Sequence, residues 1–194
     1  MDRRKPSNNS TMLQLTIAPG TILRLFEESD IDETHALVEA NRDYLTRFMP
    51  WAATATREEG LEFIRSSRRQ IAENNGLQTA LVIDGNIAGT IGVHGINWRQ
   101  SSTSIGYWLA ERYQGRGVMT AAVKAYVEHA FGVWKLERME LRAATDNARS
   151  RAVAERVGFV QEGVLRHAER IGDHWHDLVV YGLLASDWSP TGRT

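Results

Sequence analysis

Gln114-Gly115-Arg116-Gly117-Val118-Met119-Thr120 is the segment whose residue types point most directly to chemistry. Glycine has no Cβ, so backbone N–H groups beside Gly115 and Gly117 can turn toward a ligand. A helix starting at this point would add its unpaired amides and the positive end of its dipole, making an anion site. Further candidates lie downstream in Asn147-Ala148-Arg149-Ser150, Gly158-Phe159, Glu162-Gly163 and Arg166-His167-Ala168-Glu169. There a hydroxyl and a carboxylate are available as proton donor and proton acceptor. The glycine turn alone fits several uses. A phosphate-gripping P-loop requires Gly-Lys-Ser/Thr, but Val118 follows the second glycine. A dinucleotide fingerprint requires a third glycine where Thr120 stands. A purely structural turn is equally compatible.

The surrounding pattern supplies the elements that must position these residues. Thr103, Ile105, Tyr107 and Leu109 alternate as in a strand and lead into the glycine turn. Beyond it Met119, Ala122, Val123, Tyr126, Val127, Ala130 and Phe131 form an apolar stripe at helical period. Upstream, Thr21–Leu25 reads as a short strand, and Asp30 caps a helix reaching about Asn41. Tyr44–Trp51 is aromatic-rich, and Pro50 disfavours helix at the residue before it. Thr56 with Glu59 makes a capping box for a helix through Ile71. Leu77–Ile83 and Ile87–Val93 flank Asp84-Gly85-Asn86, the signature of a tight hairpin. Met139–Ala143 is a strand, Asp146-Asn147 opens a helix ending at Gly158, and Phe159–Leu165 and Trp175–Leu184 close the chain as strands. The order predicts an α+β protein with a mixed sheet, as one domain over residues 13–194 behind a flexible polar tail over residues 1–12.

The chain has 194 residues, enough for one domain with a sizeable core. Its net charge of -1 gives no argument for nucleic acid or an anionic membrane as partner. Cysteine is absent, which removes disulfides, thiolate nucleophiles and cysteine-based zinc sites. The segment Met1–Thr11 lacks the apolar centre of a signal peptide, and no stretch approaches the ~20 apolar residues needed to span a bilayer. A cytoplasmic protein is the expectation.

Gln114-Gly115-Arg116-Gly117 fits the acyl-CoA loop of the GNAT superfamily of acetyltransferases, written Q/R-x-x-G-x-G/A, with Met119 in place of the final small residue. The downstream Asn147-Ala148-Arg149-Ser150, Gly158-Phe159 and Glu162-Gly163 resemble the second block of the same superfamily. Together with Gly106-Tyr107-Trp108-Leu109, they resemble the branch of RimJ/RimL-type ribosomal-protein N-terminal acetyltransferases. The resemblance runs from about Thr21 to Leu184. It implies a GNAT fold with a mostly antiparallel sheet of about seven strands, flanked by helices and splayed at its centre.

The resemblance also implies roles. Trp108 and Leu109 would offer main-chain contacts to the pantetheine of acetyl-CoA, and Gln114, Gly115, Arg116, Gly117, Val118, Met119 and Thr120 would hold its pyrophosphate. Asn147 and Ser150 would contact the cofactor, with Ser150 near the CoA sulfur and protonating the thiolate; the residues alone read as a helix cap and its first turn. Glu169 occupies the position of a glutamate facing the acceptor amine, and Asp177 and His94 are weaker candidates for the base. Phe48 and Trp51 would line the acceptor cleft, or serve as core aromatics under a long loop. Arg65, Arg68 and Arg69 read as a solvated helix face, or as attraction for an acidic protein. His174 and His176 would share one strand face, with Asp177 opposite, and a third ligand there is missing, so no metal is expected.

The activity implied is transfer of acetyl from acetyl-CoA to a primary amine, foremost the N-terminal α-amine of a ribosomal or similar protein. An α-amine, with a pKa near ~8 against ~10.4 for lysine, needs only a modest base. The same chemistry on a small amine such as a polyamine or antibiotic, and a non-catalytic CoA-binding sensor, are the alternatives. A dinucleotide oxidoreductase fits the hairpin-rich order poorly. The family further suggests a homodimer.

Overall fold

A computed structural model describes residues 14–189, so the tail expected over residues 1–12 lies outside the described residues. The strands are β1 (Gln14–Ala18), β2 (Thr21–Leu25), β3 (Gly76–Ile83), β4 (Asn86–Asn97), β5 (Ser102–Leu109), β6 (Arg138–Ala144), β7 (Val160–Ile171) and β8 (His174–Leu184). The helices are α1 (Ile31–Ala40), α2 (Arg42–Leu45), α3 (Arg57–Ala72), α4 (Val118–Gly132) and α5 (Ala148–Val157). Among the described residues one sheet runs in the order β1-β2-β3-β4-β5-β6-β8-β7, eight strands rather than about seven. The added strand is β1, which pairs antiparallel with β2. With only Leu15 and Ile17 on its apolar side, its alternation is too short to stand out in the sequence.

Local chemistry explains several boundaries. At the start of α3, Thr56 Oγ1 accepts from the Glu59 N–H (3.2 Å) and the Glu59 carboxylate accepts from the Thr56 N–H (2.9 Å). This is the expected capping box. Asp84 and Gly85 take φ of +49° and +82° between paired Ile83 and Asn86, the two positive angles of a type I′ hairpin. Asp30 does precede α1, but its side chain does not cap the helix. Its carboxylate instead accepts two hydrogen bonds from Arg24 (2.6 and 2.8 Å) and one from the Glu27 N–H (2.8 Å). A charged fork six residues upstream outcompetes the local amides.

Strand alternation sends apolar residues to both faces. On one face Leu77, Leu81, Ile91, Val93, Ile105 and Leu141 join Met119, Val123, Tyr126 and Val127 of α4. Tyr126 is fully buried, and its hydroxyl pairs with Thr79 Oγ1 (2.9 Å) and the Ile91 carbonyl (3.0 Å), as burial requires. On the other face Ala80, Val82, Ile87 and Ala110 meet Phe26, Ile31, Leu37 and Ile64 from around α1 and α3. Among the described residues no helix is long and apolar enough to cross a membrane.

The feature that positions the site is the only parallel pair among the described residues, β5 with β6. It joins Ser102–Ile105 to Arg138–Leu141 and stops, while β5 continues to Leu109 and β6 to Ala144. The centre of the sheet is therefore splayed.

Candidate active site

Gly117 stands at the N-cap of α4 with φ +73°, and Gly115 has φ +75°. Both lie in the left-handed region that glycine enters without penalty. Among the described residues no side chain caps α4, and its first turn holds no acidic residue. The Ala121 N–H bonds the Gly117 carbonyl (3.1 Å), so the amides ahead of it have no partner within the helix. Lys124, Arg149 and Arg156 line the cavity of about 650 Å³ beside this turn, together with Gln114–Ala121. Free amides, a helix dipole and these cations make an anion site of the kind a pyrophosphate fits. Gln114 ties the turn in place: its Nε2 donates to the Leu109 carbonyl (3.0 Å) and its Oε1 accepts from Arg149 (2.5 Å).

The splay supplies a slot leading away from this turn. The Ala110 N–H bonds the Ala88 carbonyl (2.8 Å). Alternation along the antiparallel ladder then aims the Trp108 main chain at β4 and those of Tyr107 and Leu109 at the gap. Trp108, expected to offer its main chain to a ligand, spends it within the sheet and presents its indole to the cleft. The Tyr107 main chain and the Leu109 N–H are the edge groups that face an added strand-like partner, the Leu109 carbonyl being engaged by Gln114.

On the far side of the slot lies a cavity of about 980 Å³ between α1, α3 and the sheet. The two cavities share Phe48, Met49, Tyr107, Trp108, Asn147 and Ser150, so they meet at the splay. Asn147 caps α5 by accepting from the Ser150 N–H (3.1 Å). Ser150 Oγ is 3.0 Å from the Tyr107 hydroxyl. Burial pushes the Tyr107 phenol up to about 12, with the Ser150 hydrogen bond acting in the opposite direction. Tyr107 thus stays protonated and can donate to Ser150 Oγ, leaving the serine proton for another acceptor.

Glu169 reaches the larger cavity through a distortion of β7. Leu165 opposes Leu178 and Glu169 opposes His176, so β7 spends four steps where β8 spends two. His167 takes φ +50° within that bulge, and its N–H donates to the Asp177 carboxylate (2.8 Å). Bulges re-aim side chains in this way. Burial raises the Glu169 carboxyl above its ordinary value, and His176 partly offsets this. His176 Nδ1 is in turn 3.7 Å from the Asp146 carboxylate. Asp177 anchors the bulge and lines neither cavity.

Phe48 and Trp51 both line the larger cavity, and Trp51 is 43% exposed with its ring 6.1 Å from that of Trp108. Arg42 holds their loop by donating to the carbonyls of Ala52 and Ala55. The helix arginines are engaged locally: Arg65 with Glu28, Arg68 with the Phe26 carbonyl, Arg69 with Glu62. Among the described residues no group of three or more His, Asp or Glu is placed to hold a metal ion. Sequence reasoning missed Tyr107, Lys124, Arg149 and Arg156. Tyr107 shares the alternation of Leu109, and Arg149 lies inside the Asn-x-Arg-Ser block, so both carried a readable signal.

The acetyltransferase (GNAT) domain model matches residues 21–160. The Bacillus subtilis (strain 168) protein "Putative ribosomal N-acetyltransferase YdaF" is 35% identical over 171 residues, covering 86% of this chain and 92% of its own. The ribosomal-protein-serine acetyltransferase of Escherichia coli (strain K12) is 26% identical over 160 residues, covering 82% of this chain and 89% of its own. A solved structure of RimL, the ribosomal L7/L12 α-N-protein acetyltransferase, in complex with coenzyme A, superposes with a TM-score of 0.84 at 25% identity. It covers 88% of this chain and 97% of that one. The uncapped glycine turn, the splayed sheet and these matches agree, and the chain belongs to the GNAT family of N-acetyltransferases.

Proposed function

We propose that this enzyme transfers acetyl from acetyl-CoA to the N-terminal α-amine of a ribosomal or similar protein. The observation that carries the reading is the meeting of the two cavities at Ser150 and Tyr107, with a half-buried carboxylate, Glu169, on the acceptor side. Acetyl-CoA supplies an acyl thioester whose sulfur leaves as a thiolate. The turn Gln114–Thr120 with Arg149 holds the pyrophosphate, and the edge groups of Tyr107 and Leu109 hold the pantetheine arm. Glu169 accepts the proton of the attacking amine, and its raised pKa suits that work near neutral pH. Ser150 donates its proton toward the sulfur while accepting from Tyr107. Phe48 and Trp51 wall the acceptor cleft. The names of the relatives support a protein N-terminus as acceptor.

The test is thiol release from acetyl-CoA with peptides beginning in Ser or Ala, with mass detection of the product, beside a panel of polyamines and aminoglycosides. Acetylation of the peptides is the expected result. Product only from the small amines would move the acceptor to that class, and none from either would make the protein a CoA-binding sensor. Glu169→Gln should lower turnover and leave acetyl-CoA binding nearly intact; unchanged turnover removes Glu169 from the mechanism. The same reading has residues 13–194 as one domain of a cytoplasmic homodimer, the assembly being checked by sedimentation.

A further inference from the structure

His94 lies on β4 in the wall of the larger cavity, opposite Ser104 of β5. Its surroundings decide which ring nitrogen carries the proton. Gln78 Nε2 donates to the Val93 carbonyl (3.0 Å). The reverse amide orientation would set two acceptor oxygens against each other, so the side chain is held with its NH2 group on this side. The same Nε2 is 3.2 Å from His94 Nδ1. An NH2 group can only donate there, so Nδ1 is the unprotonated nitrogen and the proton resides on Nε2. His94 is exposed at the cavity, and lost hydration on its covered side holds the ring below its ordinary value, which keeps it neutral. This arrangement removes His94 from the candidates for the base, since its one lone pair is already taken.

The free N–H has a defined place. A Cβ on Gly106 would come within 2.7 Å of His94 Nε2, so the donor stands directly over that glycine. Gly106 is the first residue of β5 beyond its pairing with β6, at the mouth of the splay. The side chain of Glu169 faces the same cavity. Among the described residues, two further polar atoms in this cavity's walls have no hydrogen-bond partner: Thr34 Oγ1, in a residue only 8% exposed, and Gln70 Oε1. Buried polar atoms without partners are costly, and their gathering at one cavity points to a ligand that is itself polar.

We infer that His94 is a specificity-determining residue, its Nε2–H donating to an oxygen carried close to the acceptor nitrogen. The site therefore selects amino amides and amino alcohols over plain alkylamines. The inference rests on the larger cavity being the acceptor site, and it adds a chemical requirement that this reading does not contain. A donor left without its acceptor when the wrong amine binds costs a factor of about 10–100.

The test compares alaninamide with 2-aminobutane, its counterpart lacking the oxygen, at equal concentrations of neutral amine and saturating acetyl-CoA. The full chain should favour alaninamide about 10–100-fold in kcat/KM. His94→Phe should bring the ratio near 1, and Gln78→Leu should shrink it part of the way. A ratio near 1 in the unaltered protein, or one that survives His94→Phe, overturns the inference. A second measurement needs neither turnover nor a variant that folds. In protein labelled with 15N histidine, His94 should show an unprotonated Nδ1 and a protonated Nε2. The Nε2–H signal should move with alaninamide and not with 2-aminobutane. The opposite tautomer, or equal movement with both amines, overturns the inference. Absence of transfer to either amine would count against the acetyl-transfer reading, and the NMR result would then decide the inference by itself.

Discussion

Helices α4 and α5 both begin at the cleft, yet their N-termini are finished in different ways. The N-cap of α4 is a glycine with no side chain to offer, and its leading amides have no side-chain cap among the described residues. The N-cap of α5 is Asn147, whose side chain takes the Ser150 amide for itself. On the proposed reading one end is kept open to bind an anion; the other is closed, and the first-turn Ser150 is held beside Tyr107. A cap stabilises a helix by about 1 kcal/mol, so leaving α4 without one forgoes stability, which the proposed binding of acetyl-CoA would explain.

The sharpest way to break this contrast is to finish α4 as α5 is finished. Gly117→Asp supplies a capping carboxylate, and Asp tolerates a left-handed backbone better than most residues. Stability should stay within about 1 kcal/mol of the parent in urea unfolding. Acetyl-CoA affinity should fall by about 100-fold or more in calorimetry, because charged hydrogen bonds are lost and a like charge is added. Retained affinity would mean that the amides of α4 do not carry the pyrophosphate.

Ser150→Ala comes next and tests the closed end. Turnover should drop by about 10–100-fold while acetyl-CoA binding changes little, as expected when a proton donor is lost. An equal loss in binding would make Ser150 a contact rather than a donor. Asn147→Ala should cost about 1 kcal/mol of stability. It should also lower turnover a few-fold through a displaced Ser150, read by thermal unfolding and steady-state rates. The smallest effect concerns pH. Glu169 must be ionised to accept a proton, and burial raises its pKa, so kcat/KM should fall with acidification at a higher pH than an exposed glutamate would give. His176→Leu should carry that limb slightly higher still, because the histidine favours the ionised form.

How far these two ends could be read in advance depends on the range of the interactions involved. The Asn147 cap, the Thr56–Glu59 box and the Asp84-Gly85 hairpin are contacts within four residues, and each followed from residue types alone. The Asp30 cap did not follow, because Arg24 across a turn competes for the same carboxylate. The hydroxyl pair of Tyr107 and Ser150 spans 43 positions, and nothing local announces it. The bulge that turns Glu169 inward depends on Asp177 of the neighbouring strand capturing the His167 amide. The main-chain direction of Trp108 depends on ladder alternation, which only the register reveals. Side-chain identity marked the right neighbourhood, while tertiary pairing assigned the aim of each group within it.

The short parallel pairing of β5 with β6 also bears on how the molecule unfolds. Strands β1 to β5 form a meander of antiparallel neighbours, and β6, β8 and β7 form a second antiparallel group. Between them the sheet is continuous over only the four residue pairs from Ser102 with Arg138 to Ile105 with Leu141. Such a seam is the place for sub-global opening, with α4 as the tether between the two groups. Amide hydrogens of Tyr107 and Leu109 should exchange quickly in the free protein and slowly with acetyl-CoA bound. A ligand at a hundredfold excess over its Kd adds about 2.7 kcal/mol to the unfolding free energy. The substrate would then act as a clasp across the seam, and the cooperativity of the whole chain would rise and fall with the supply of acetyl-CoA.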